Sequence, residues 1–167
     1  MAVSPDNVRA FHQKFVAGVT IVTTLTPNGV PKGLVVNAFS SISLDPPLVL
    51  ACVGRGSGAF PWLFRSDHFA VSILAADQWR LVKVFSTPGI DKFAGVGWER
   101  APQGSPIIMG CCAWIEAEIK DRAQAVTHTV FIGEVTSVEH SAKPPVIYVG
   151  GHCYDGGHLD RCAIVEE

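Results

Sequence analysis

A chain of 167 residues has room for one domain built on one core. Lys+Arg 13 against Asp+Glu 15 leaves a net charge of −2, and only 17% of residues are charged, so no broad cationic face exists to track nucleic-acid phosphates. The hydrophobic fraction of 48% is high for so weakly charged a chain, and it implies apolar surface hidden in a subunit interface or against a bound ligand.

Ser4-Pro5 reads as a helix start, a capping hydroxyl followed by proline in the first turn, and Val8, Phe11 and Phe15 recur at helical spacing toward Gly18. Residues 19–26 are almost all β-branched, Pro27-Asn28-Gly29 supplies turn chemistry and a second strand follows from Lys32, which together signal a hairpin. Residues 39–44 alternate as a strand until Asp45-Pro46-Pro47, and residues 48–53 form a continuous apolar strand of the fully buried type. The loop Gly54-Arg55-Gly56-Ser57-Gly58 leads to a short aromatic helix over 59–65 with Ser57 as its cap, then to a strand over 69–74 and a helix over 78–85. Residues 90–107 read as an ordered surface excursion anchored by Phe93 and Trp98. Two long strands, 111–121 and 129–138, and a last one over 146–149 complete the pattern. The expected fold is mainly antiparallel β, a single domain over 1–167 with two or three peripheral helices, closed as a barrel or layered as a sandwich.

No apolar run approaches the ~18 residues of a membrane helix, and the first residues carry no basic stretch followed by an apolar one, so neither a span nor a signal peptide is read. Cys52, Cys111, Cys112, Cys153 and Cys162 are odd in number and form no C-x-x-C, which fits reduced thiols and a cytoplasmic location.

Asn37, Ser40, Ser41 and Ser43 concentrate hydroxyl and amide donors beside the loop of Arg55 and Ser57, as a phosphate-bearing cofactor would need; the same pattern also describes the wet face of an ordinary strand. His128 stands at a strand start, placed either for polar contact with a substrate or as a hydrogen-bonded rim residue. Glu116 and Glu118 are expected to be solvated rather than a paired acid and base, and the His and Cys of 151–158 complete no metal-ligand spacing. No G-x-G-x-x-G, G-x-x-x-x-G-K-[ST], H-E-x-x-H or G-x-S-x-G occurs, which removes the Rossmann, P-loop, zincin and nucleophile-elbow readings.

Taken in order, these segments resemble the flavin reductase-like family with an FMN-binding split β-barrel, in particular the reductase components of two-component flavin-dependent monooxygenases. Phe15-Val-Ala-Gly18-Val-Thr20-Ile-Val-Thr-Thr24 is similar to the family's opening strand. The most specific stretch is Gly33-Leu-Val-Val-Asn37-Ala-Phe39-Ser40-Ser41-Ile-Ser43-Leu-Asp45-Pro46-Pro47, similar to its flavin-binding strand and turn. Phe69-Ala-Val-Ser-Ile-Leu74, Asp91-Lys92-Phe93, Gly104-Ser-Pro106 and Ile132-Gly133-Glu134-Val135 follow in the family's order.

The resemblance implies an antiparallel, Greek-key-like split barrel that binds FMN or FAD and uses NADH or NADPH as co-substrate. It implies that Val35, Val36, Asn37, Ala38, Ser40, Ser41 and Ile42 line the ring and ribityl chain, and that Val53, Gly54, Arg55, Gly56 and Ser57 hold the phosphate end, with Phe85 completing the set. His128 falls where the family has a nicotinamide-side histidine, but Val126-Thr127 replaces the usual Gly-Asp before it. Val35 stands where Thr is common and Ser72 where Asn is common. A homodimer, and a separate oxygenase receiving reduced flavin, are further implications. Two rivals stand beside this one: a flavin-binding or redox module without nicotinamide turnover, and a pyridoxamine phosphate oxidase, for which the cationic set is thin.

Overall fold

The computed structural model describes residues 3–160, so Cys162 lies outside the described residues. Helix α1 (Pro5–His12) begins behind Ser4 as the Ser-Pro pair requires, and it ends well before Gly18 because β1 (Ala17–Gly18) takes those residues. Strands β2 (Thr20–Leu25) and β3 (Pro31–Val36) form the expected hairpin, and β4 (Phe39–Leu44) and β5 (Pro47–Gly54) form a second around Asp45-Pro46. Helix α2 (Phe60–Leu63), strand β6 (His68–Ile73), and helix α3 (Arg80–Ser86) follow. The excursion after α3 contains two short strands that the pattern did not announce, β7 (Trp98–Arg100) and β8 (Pro106–Ile108). Strands β9 (Ala113–Ala125) and β10 (His128–His140) are longer than expected and meet through the two residues Val126 and Thr127. Strand β11 (Val146–Val149) pairs with β1 and with β12 (His152–Asp155), where only a Gly-rich tail was expected.

The main sheet has seven strands in the order β3-β2-β6-β9-β10-β5-β4. Its two edge strands, β3 and β4, are consecutive in the chain and separated by Asn37 and Ala38 alone. Two residues span about 10 Å at most, so the sheet has to curl until its edges meet. That topology decides for a barrel over a sandwich, and it leaves a seam, between β3 and β4, that no ladder of hydrogen bonds closes.

Alternating residues fill the barrel: Val22, Leu34, Phe69, Val71, Ala117 and Phe131 belong to one buried cluster, plugged by Ala59 and Leu63 around α2. A second cluster lies on the other face of β2, where Val19 and Ile21 meet Leu74, Phe85, Phe93, Ile108 and Val146. Being covered on both sides, β2 is buried nearly throughout, which accounts for its run of β-branched residues. Strand β5 is different from its expectation: Val49, Ala51 and Val53 are buried while Leu48, Leu50 and Cys52 are only half-buried, so one of its faces is left partly open.

Glu116 corrects the sequence reading more sharply. It is fully buried, and its carboxylate accepts backbone N–H bonds from Gln103 at 2.6 Å and from Ser105 at 2.8 Å. The carboxylate thereby ties the 101–105 loop to β9, and only Glu118 of the pair is solvent-facing, bridged by Lys120 to Glu134.

Candidate functional site

The seam opens into a groove of about 600 Å³, within the range of small-molecule sites. Six of the sequence-predicted residues line it: Val35 and Val36 at the end of β3, Asn37 and Ala38 in the crossing, Gly54 at the end of β5, and His128 at the start of β10. Pairing brings the last two together, because His128 is the register partner of Gly54. The side chain of Val36 is 5% exposed and points into the barrel, so it can offer a ligand its backbone only, whereas Asn37 is exposed and offers an amide. Val53 is fully buried and contributes shape rather than contact.

Arg55, Gly56 and Ser57 continue directly from Gly54 along the rim. Ser57 Oγ accepts the Ala59 N–H at 3.1 Å, which makes a turn ahead of α2 and not the expected helix cap, a position that Ala59 takes. Arg55 is exposed; its backbone N–H donates to Thr127 O at 2.9 Å and its Nη1 donates to Val126 O at 3.3 Å. A Cβ added to Gly56 or Gly58 would meet nothing within 4 Å, so this loop has open space on its outer side. Ser40, Ser41 and Ile42 lie on β4, the outermost strand; Ser40 Oγ donates to Ser41 O at 3.1 Å, and Ile42 is 46% exposed.

Phe85 does not join them. It is fully buried in the second cluster, edge-on to Phe93 at 5.2 Å between ring centres and packed over Gly33, so it supports β3 from behind and reaches no groove. Conversely, the groove has walls that sequence reasoning missed: His12 from α1, Leu34, Cys52 and Ala125. Cys52 could have been found from its place beside Val53 and Gly54, but nothing local marks His12.

The electrostatics favour an electron-rich guest. None of the groove's lining residues is acidic, and Arg55 supplies a cation at its rim. Edge-strand backbone groups at the seam, the Asn37 amide and the imidazole of His128 form a donor and acceptor set suited to a flat heteroaromatic ring, and the open glycine loop with Arg55 suits a phosphate tail.

Residues 12–157 match the model of the flavin reductase like domain. The chain belongs to that family. Among flavin reductase relatives it is 36% identical over 147 residues to the stachydrine N-demethylase reductase subunit Stc3 of Rhizobium meliloti, covering 88% of this chain and 64% of that one, less than two thirds of the relative's length. It is 38% identical over 149 residues to the FMN reductase (NADH) SmoA of Agrobacterium fabrum, with 87% and 84% coverage. Among solved structures, the Streptomyces globisporus NADH:FAD oxidoreductase SgcE6, in complex with NAD and FAD fragments, superposes with a TM-score of 0.84 at 32% identity, over 100% of this chain and 99% of that one. The flavin reductase split barrel is therefore the fold of this chain.

Proposed function

We propose that this protein is an NAD(P)H:flavin oxidoreductase that binds FMN or FAD in the seam groove and releases reduced flavin to a separate flavin-dependent oxygenase. The observation that carries the reading is the groove itself, in which the β3 edge, the Asn37-Ala38 crossing and the ends of β5 and β10 give an acid-free lining that includes His128, with an arginine at the rim. Flavin bound there supplies the redox chemistry by accepting hydride from a reduced nicotinamide. The chain's residues do the positioning. Val35, Val36, Asn37 and Ala38 present backbone and amide groups to the ring edge, with Ser40, Ser41 and Ile42 extending that wall. Gly54, Arg55, Gly56 and Ser57 hold the phosphate end. His128 would orient a nicotinamide at the groove, and the groove walls would hold it and the flavin in place for hydride transfer. No side chain acts as nucleophile.

Several further readings belong with this one. Helix α1 has no buried residue, and Phe11, Phe15, Ile42 and Leu44 are 73%, 69%, 46% and 88% exposed, so α1, the segment that follows it and the β4 edge offer the apolar surface a homodimer would cover. The protein works in the cytoplasm as one domain, in keeping with the free thiols of Cys52, Cys111, Cys112 and Cys153. Phe15→Asp with Leu44→Asp yields a monomer in analytical ultracentrifugation; an unchanged dimer refutes that interface.

The function is tested by aerobic oxidation of NADH and NADPH by the purified protein, with and without added FMN or FAD, followed by nicotinamide absorbance. Turnover that depends on flavin is the expected result, and it falls in His128→Ala through a raised KM for the nicotinamide. Flavin binding with neither nicotinamide oxidised would overturn the enzyme reading in favour of a flavin-holding module, the alternative that the Thr127 substitution for aspartate keeps distinct.

A further inference from the structure

The turn that carries His128 is built in an unfavourable way. Val126 and Thr127 alone join β9 to β10, and Val126 has φ of 42°, a left-handed conformation that a β-branched residue adopts only under constraint. The constraint comes from the loop that leaves the neighbouring strand β5. Arg55 holds both turn carbonyls, its backbone N–H on Thr127 O at 2.9 Å and its guanidinium on Val126 O at 3.3 Å. No carboxylate competes for this arginine among the described ion pairs.

Inside the turn, Thr127 Oγ1 lies 2.8 Å from His128 Nδ1, and among the described residues the hydroxyl has no other partner. An imidazole nitrogen is a stronger base than a hydroxyl oxygen, which favours donation from the hydroxyl to Nδ1, the arrangement that puts the proton of the neutral ring on Nε2. Nε2 is the atom on the Gly54 side, 3.6 Å from where a Cβ on Gly54 would sit. Besides His128, the titratable groups that line the groove are His12 of α1 and Cys52 of β5, with Arg55 at the rim, and none of these is a carboxylate; Asp6 and Arg9 of α1 and Asp121 and Arg122 of β9 belong to the same elements but are not among the lining residues.

Resting on the reading above, we propose that Thr127 and Arg55 are positioning residues for the nicotinamide. Thr127 fixes His128 as an Nε2–H donor toward the groove, ready for a carbonyl oxygen such as that of a carboxamide, and Arg55 braces the turn that carries it. A carboxylate at position 127 could only accept from Nδ1–H, which would leave Nε2 as an acceptor and reverse the polarity presented to the substrate. Arg55 thus serves both the phosphate loop and the nicotinamide side, through different donors of one guanidinium.

Histidine-selective ¹⁵N spectra of the protein at a pH where the ring is neutral, with no flavin or nicotinamide added, read the tautomer directly. The wild type shows one Nε2–H form for His128, Thr127→Val shows a mixture, and Thr127→Asp shows Nδ1–H. In steady state with FMN, Thr127→Val raises KM for NADH about fivefold, the loss of one hydrogen bond, with kcat within about twofold, and Thr127→Ser restores both. Arg55→Ala is assayed with riboflavin, which has no phosphate, and its KM for NADH still rises about threefold or more above the wild type on riboflavin. Wild-type histidine spectra and KM in Thr127→Val would overturn the role of Thr127. An unchanged KM on riboflavin in Arg55→Ala would leave Arg55 a phosphate ligand and overturn the brace. Failure of the wild type to oxidise either nicotinamide would instead refute the proposed activity, and the spectra would still decide how His128 is held.

Discussion

Replacing Gly133 by alanine tests how tightly the barrel is filled. Gly133 sits in β10 where its register against β9 slips, and a Cβ there would come 2.6 Å from Phe69 Cε1, 2.9 Å from the Ala117 Cβ and 3.0 Å from Phe69 Cζ. Carbon atoms in contact prefer about 3.5–4.0 Å, so the added methyl overlaps its neighbours by roughly 1 Å. Neither neighbour has room to give, since Phe69 and Ala117 are both 0% exposed. Overpacking of this kind costs about 1–3 kcal/mol, and two fixed neighbours put it near the upper end; the lower chain entropy of alanine returns about 0.5–1 kcal/mol. The net loss is about 2 kcal/mol, which for a chain of this size lowers Tm by about 4–8 °C. Thermal and urea denaturation of the flavin-free protein, followed by circular dichroism, measure it. A Tm within about 1 °C of the wild type would refute the reasoning, because it would mean that the open seam lets the strands spread around the methyl.

Three other substitutions probe separate features. Val126→Gly relieves the left-handed strain of the β9–β10 turn and raises stability by about 1 kcal/mol, read as a Tm higher by about 2–4 °C. Glu116→Gln replaces one carboxylate oxygen that accepts a loop N–H by a group that cannot accept, and costs about 2–3 kcal/mol in urea denaturation, with faster amide exchange at Gln103 and Ser105. The Lys120 ammonium beside Glu118 holds that carboxylate below its ordinary range, so this contribution is present above the ordinary carboxylate pKa and fades as pH falls through the lowered one. In Lys120→Met, a carboxyl-detected NMR titration shows Glu118 returning toward the ordinary value, and an unmoved titration would refute the pairing.

The elements legible in the sequence were those marked by local composition and turn residues. Strand β4 is marked by its stop at Asp45-Pro46-Pro47, and β2 announces itself by the β-branching that burial on both faces favours. Strands β7, β8 and β12 have three or four residues each and owe their existence to partners rather than to period. Glu116 was misread for the same reason: the loop that buries it folds over β9 from thirteen residues away, so the strand is covered on a face that looks open in sequence. Phe85 was taken for a ligand contact because an aromatic residue on a helix has no local mark that distinguishes a core anchor from a binding wall. Six residues of the groove were recoverable since they fall in two adjoining segments and one strand start, whereas His12 arrives from a helix that has no buried residue.

A barrel joined at one place by Asn37 and Ala38, instead of by a ladder, has a built-in line along which it can breathe. Amides of 37–41 should exchange faster than those of β2, β6 and β9, where every strand has neighbours on both sides. A molecule seated in the groove ties the β3 lip and the crossing to the ends of β5 and β10, and it adds to folding stability in proportion to the logarithm of its concentration over its dissociation constant. The place where the barrel is weakest is then also the place where its guest has most to contribute. Release of that guest to another protein would return the seam to its loosened state and ready it for the next one.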